Sequence, residues 1–150
     1  MNVDSLYQEI ILDHYKHPHG AGLRDPYEAE VHHVNPTCGD EITLRVHLNG
    51  DTVADVSYAA EGCSISQASA SVLNDLIIGK TVTEGLALHA EFSELMGGKG
   101  KIEPNEDHLE DGVAFAGVAQ FPGRVKCALL SWMAWKDAVA QAVARAEETA

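Results

Sequence analysis

The chain has 150 residues, 45% of them hydrophobic, which suits one domain spanning 1–150 around a single core and leaves little room for two. Ten Lys plus Arg stand against 23 Asp plus Glu, a formal net charge of −13. That balance repels phosphate backbones, which excludes nonspecific nucleic-acid binding, and it steers the chain toward a basic surface on a protein partner.

From Met1 to Tyr15 charged and apolar residues alternate, without the basic start and apolar stretch of a signal peptide. No apolar run approaches the roughly 20 residues needed to cross a bilayer. The expectation is a soluble, cytoplasmic protein that neither enters nor binds a membrane. Between Val3 and Lys16, residues Val3, Leu6, Tyr7, Ile10, Ile11 and Tyr15 recur at helical spacing, and the helix should stop before Pro18. Ala29 to Asn35 is short and β-prone. From Ile42 to Leu48 apolar and polar residues alternate, Asn49-Gly50 predicts a tight hairpin turn, and Ala54, Val56, Tyr58 and Ala60 continue the alternation on a third strand.

Ser64 and Gln67 have the spacing of a capping box at the head of a second helix, whose apolar face runs through Ile65, Ala68, Val72, Leu73, Leu76 and Ile77 to Gly79. A third helix is expected over Val82 to Met96, then a Gly-rich, acidic loop from Lys99 to Asp111. The last helix runs from about Pro122 to Ala146, with Val125, Leu129, Trp132, Met133, Val139 and Val143 on its buried side. Strands early and helices late predict an α+β fold, a small three-stranded antiparallel sheet with helices packed on one face. The strands lie too close together for the crossovers of a parallel sheet.

The chemistry concentrates in three cysteines, Cys38, Cys63 and Cys127. An odd number of thiols without a secretory signal points away from a disulfide framework and toward metal or thiol chemistry. In Asn35-Pro36-Thr37-Cys38-Gly39-Asp40 a thiol and a carboxylate stand two residues apart on a Gly-containing turn, able to face one ion. Cys63 precedes a helix N-terminus, where the dipole favours a thiolate. Cys127 falls in the opening turns of the last helix, one turn after Arg124, a cation that would also favour the thiolate. Three thiols and one carboxylate would complete a tetrahedral site for zinc or iron if they converge, which spacing alone does not show.

The remaining candidates have plainer readings. His14, His17 and His19 are expected at a solvated helix end, and His32 and His33 on opposite faces of a strand. Asp107-His108 is expected to be solvated. The Gly97-Gly98-Lys99-Gly100-Lys101 stretch lacks the full spacing of a phosphate loop and reads as a flexible linker. Trp132 and Trp135 read as helix-core packing.

Four segments together resemble the iron-sulfur cluster assembly scaffold superfamily of the IscU and NifU N-terminal type, most closely its SufU branch, over nearly the whole chain. They are Leu6-Tyr7-Gln8-Glu9-Ile10-Ile11-Leu12-Asp13-His14-Tyr15, Asn35 to Asp40, Gly62-Cys63-Ser64-Ile65-Ser66, and Arg124-Val125-Lys126-Cys127. In IscU-type scaffolds the residue before the third cysteine is histidine; here it is Lys126, whose ammonium has no lone pair to offer a metal. The long Lys99 to Asp111 stretch looks like the insertion that marks the SufU branch. The resemblance implies zinc held by Cys38, Asp40, Cys63 and Cys127. It also implies a role as sulfur acceptor for SufS, a cysteine desulfurase that carries pyridoxal phosphate, with sulfur passed on toward downstream SUF scaffold proteins. In that scheme a histidine of the desulfurase displaces Cys38, the freed thiolate accepts sulfur, and Arg124 stabilises the resulting anion. The alternative is an IscU-like scaffold that assembles a [2Fe-2S] cluster on the same cysteines.

Overall fold

The computed structural model describes residues 3–148; Met1, Asn2, Thr149 and Ala150, and the side chain of Val3, lie outside it. Its elements are α1 (Val3–Lys16), β1 (Ala29–Asn35), β2 (Asp40–Asn49), β3 (Thr52–Glu61), α2 (Ser64–Ile77), α3 (Val82–Gly97), the single turn α4 (Glu106–Leu109), two 3-10 segments (Glu110–Ala116 and Val118–Gln120) and the long α5 (Pro122–Glu148). The three strands form an antiparallel sheet in the order β1-β2-β3. Along β2 the residues Asp40, Ile42, Leu44, Val46 and Leu48 are buried while those between them are half-buried, so the period of two sends one face inward. Helix α5 crosses that face over β1 and β2, α2 lies beside it, and α1 packs on α2. The α+β architecture is therefore as expected. No helix among the described residues is long and apolar enough to cross a membrane.

The β2–β3 turn departs from the expected one. Asn49 pairs with Thr52, so the turn residues are Gly50, at φ +64°, and Asp51. A bulge follows, because His47 pairs with Asp55 while Leu48 pairs with Val53, leaving Ala54 as the extra residue. The extra residue reverses the parity of the strand start. Val53 is buried and Ala54 exposed, opposite to the simple alternation, because the larger apolar side chain wins the core side. The outer edge of β3 is also paired: Val53 bonds the backbone of Gly79 and Lys80, Thr52 bridges Thr81, and Gly22 donates to the Tyr58 carbonyl.

The helix ends bring further corrections. Cys63, in extended conformation, is the N-cap of α2, so Ser64 is already helical and the Ser64/Gln67 capping box does not form; Gln67 instead donates to the Gly62 carbonyl at 2.8 Å. A complete capping box closes α3, where Thr81 and Glu84 exchange backbone and side-chain bonds. The Lys99 to Asp111 stretch is not a structureless loop: Asn105 caps α4, while Asp107 and His108 are solvated as expected, His108 also meeting Glu91 at 2.8 Å.

On α5, Ala128, Trp132, Trp135, Val139 and Ala142 are fully buried. Trp132 stacks on Phe92 with ring centroids 4.4 Å apart and donates its Nε1–H to Ser69 Oγ. Met133, expected on the buried side, is 46% exposed, because the two indoles set the direction of the stripe and turn its neighbour outward. Trp132→Ala is expected to cost about 3–5 kcal/mol. Met133→Ala should stay within about 0.5 kcal/mol. Urea unfolding of the two variants checks the assignment, and equal losses would refute it.

Candidate metal centre

Asn35, the last residue of β1, stands directly opposite Asp40, the first of β2. The four residues between them form the turn that carries Cys38, and Gly39 takes the left-handed φ of +71° that closes it. Asp40 therefore lies on the strand itself and not in the connection, on the same buried face as Ile42, with no exposed surface.

The Cys63 backbone N–H donates to Asp40 Oδ1 at 2.8 Å, and the Cys63 thiol lies 3.9 Å from Oδ2. Gly62 makes this approach possible. Its φ is +139°, and a Cβ there would collide with the Asp40 carboxylate. Cys127, six residues into α5, is fully buried, and its sulfur is 3.1 Å from that of Cys38. Donor atoms of Cys38, Asp40 and Cys127 all lie within 4.8 Å of one another, and Cys63 flanks the group through Asp40. All three cysteines are free thiols, with Cys38 and Cys63 half-buried.

The four expected ligands are thus brought to one end of the sheet. The Cys38–Cys127 separation is well beyond a disulfide bond of about 2.05 Å. It is also shorter than the roughly 3.8 Å between two sulfurs that share a tetrahedral zinc with bonds of about 2.3 Å, so the pair must open slightly to admit an ion. Burial pushes the Cys127 thiol well above its ordinary range, and its hydrogen bonds to Cys38, Asp40 and Cys63 push it further. Several acidic groups crowded in a dry pocket disfavour a second negative charge, and a divalent cation relieves that crowding. Soft thiolates with one carboxylate fit zinc or iron and fit magnesium or calcium poorly.

Arg124 is exposed, makes no ion pair among the described residues, and is not among the groups that set the Cys127 proton affinity. The expected thiolate-favouring effect on Cys127 is therefore absent, and burial prevails. Lys126 is exposed on the outer side of α5. Two contributors escape a reading of the sequence. The Asn35 side-chain amide approaches Cys127 at 3.9 Å, and the Gly123 carbonyl faces both Cys38 and Cys127, at 3.8 and 3.9 Å. The strand register, which sets Asn35 across from Asp40, is the signal that would have found the first.

Fold and site together define a small α+β domain with a cysteine-rich candidate metal centre at the end of its sheet. The chain belongs to the NifU-like N-terminal domain family, whose model matches residues 6–128. It is 45% identical over 141 residues to the zinc-dependent sulfurtransferase SufU of Bacillus subtilis, covering 93% of both chains. It is 43% identical over 137 residues to the iron-sulfur cluster assembly scaffold protein IscU of Streptococcus pyogenes, covering 91% of this chain and 84% of that one. A solved structure from Fervidobacterium islandicum, assigned to iron-sulfur cluster assembly in the SUF system, superposes with a TM-score of 0.78 at 35% identity, covering 92% of this chain and 99% of that one.

In the metal-free protein, iodoacetamide is expected to label Cys38 and Cys63 well before Cys127, as mapped by mass spectrometry. The folded Cys127 thiol holds its proton more tightly than the unfolded one. Its contribution to stability is therefore complete below the ordinary thiol pKa of about 8.5 and is lost as pH rises beyond it. Denaturant midpoints of the metal-free protein should fall above that pH, and a Cys127→Ala variant should fall less.

Proposed function

We propose that the chain is a zinc-dependent sulfurtransferase of iron-sulfur cluster assembly. It accepts persulfide sulfur on Cys38 from the cysteine desulfurase SufS and passes it toward downstream SUF scaffold proteins, in the reducing cytoplasm where free thiols persist. The observation that carries this reading is the unequal mounting of the three cysteines. Cys127 is buried inside α5 and Cys63 caps α2, whereas Cys38, half-buried, rides on an exposed turn between two strands.

Cys38, Asp40, Cys63 and Cys127 would hold zinc, whose charge, when bound, keeps the thiols deprotonated. The turn lets Cys38 swing out without unwinding a regular element. Its thiolate attacks the terminal sulfur of the desulfurase persulfide. A new S–S bond forms to Cys38, the old S–S bond breaks, and the desulfurase cysteine leaves as a thiolate. Arg124 at the head of α5 faces solvent, free of ion pairs among the described residues, and is placed to attract the persulfide anion. Val34 and Phe121, 53% and 59% exposed, flank the site in sequence and offer an apolar surface for the desulfurase to cover. The similarity to the Bacillus protein supports the same reading, and Lys126, which supplies no ligand, favours it over a cluster scaffold.

Metal analysis of the purified protein should find zinc, and the wild type should stimulate cysteine-dependent sulfide release by its desulfurase. Cys38→Ala is expected to reduce that stimulation to background. Absence of zinc, or full stimulation by the variant, would sink the proposal, and an iron-sulfur chromophore in the isolated protein would replace it with the scaffold reading. Cys63→Ala and Cys127→Ala should lower the melting temperature more than Cys38→Ala does, because loss of a fixed ligand removes metal-binding energy that is also folding energy.

A further inference from the structure

His14 is not at the solvated helix end expected of it. It is 2% exposed, and its ring joins three elements: Nδ1 meets Ser71 Oγ of α2 at 2.7 Å and Nε2 meets Asp111 Oδ2 of the first 3-10 segment at 2.7 Å. Ser71 Oγ also accepts the backbone N–H of His19 at 2.9 Å, and the Asp111 carboxylate, which only accepts, faces Nε2, so a neutral imidazole carries its proton on Nε2 and Nδ1 accepts from Ser71. The Nδ1 lone pair is held by the Ser71 hydroxyl, and a metal ion at Nδ1 would take its place while Ser71 Oγ keeps the bond from the His19 N–H. The His19 ring lies 4.9 Å from that of His14, and its Nδ1 is 2.7 Å from Asp75 Oδ2.

Donor atoms of His14, His19 and Asp75 fall within 4.8 Å of one another, the same convergence that Cys38, Asp40 and Cys127 show. We propose that His14, His19 and Asp75 form a second metal site, for a divalent transition ion such as zinc, cobalt or nickel. Asp111 on the far nitrogen of His14 would be the outer carboxylate that orients a metal-bound imidazole. The C-terminal end of α1, whose carbonyls carry partial negative charge, adds to the attraction for a cation. Beside the cluster, a surface cleft of about 290 Å³ lined by Asp75, Glu110 and Asp111, with Val72 and Leu76, leaves room for water to complete the coordination. Two imidazoles select a transition ion over magnesium or calcium.

Asp75 follows Cys63 by twelve residues along α2, a rise of about 18 Å, so the two centres are separate. The bound ion would join the end of α1 to α2, and because it binds only the folded chain it would stabilise that junction.

Equilibrium dialysis of the full-length protein against cobalt alone tests the proposal, read by metal content and by absorption. The wild type should bind two equivalents, one with thiolate charge-transfer absorption and one with only weak ligand-field bands. His19→Ala and Asp75→Asn, both at partly exposed positions, should each lose the second equivalent and keep the charge-transfer band. A wild type that binds only the thiolate-bound equivalent, or variants that retain both, would overturn it. A bound equivalent that lacks charge transfer and disappears in His19→Ala would refute the thiolate centre and uphold this one.

Discussion

A carboxylate with no exposed surface has to find donors or abandon its charge, and Asp40 finds one in the backbone N–H of Cys63 at the start of α2. That bond joins the end of the sheet to the head of a helix, whose dipole also favours an anion there. Much of the site's geometry follows from it. The helix cap carries Cys63, the strand register carries the Cys38 turn, and α2 in turn positions α5. Ser69 of α2 donates to the Ala128 carbonyl at 2.6 Å and accepts from Trp132, which holds the first turns of α5, with Cys127, against the sheet end. Gly62 is the steric condition for all of this, since no other residue leaves space for the carboxylate.

Thiols with the same intrinsic chemistry acquire different duties through their mounting. A cysteine within a buried helix can move only if the helix moves, and one that caps a helix is tied by the cap. A cysteine on a four-residue turn needs little more than rotation about its own bonds. In this chain of the NifU-like N-terminal domain family, the mounting leaves Cys38 the least constrained of the three sulfurs.

The sheet, the long helices and the four candidate ligands were legible because each rests on a local signal: alternation, helical periodicity, or an unusual residue at an element end; their convergence was not, since it depends on tertiary packing. What was not legible depends on register or on tertiary competition. Val53 and Ala54 exchanged faces because a one-residue bulge inverts parity, and no residue type announces it. Met133 lost its place to Trp132 and Trp135, whose volume outweighs a flexible side chain in claiming the core. The Ser64/Gln67 pattern failed because Cys63, held by Asp40, had already taken the cap. His14 was misplaced for a similar reason: its partners Ser71 and Asp111 stand 57 and 97 residues away.

The pairing along the outer side of β3 has a consequence for how the molecule behaves among its own copies. With Gly22, Gly79, Lys80 and Thr81 bonded across it, β3 presents little open ladder, so β1 is left as the accessible margin of the sheet. That margin is seven residues long, has exposed Glu30 and His32 on its outer face, and runs into Pro36, which cannot donate to an incoming strand. A chain that carries a half-buried cysteine just beyond this strand is thereby discouraged from strand exchange with another copy of itself.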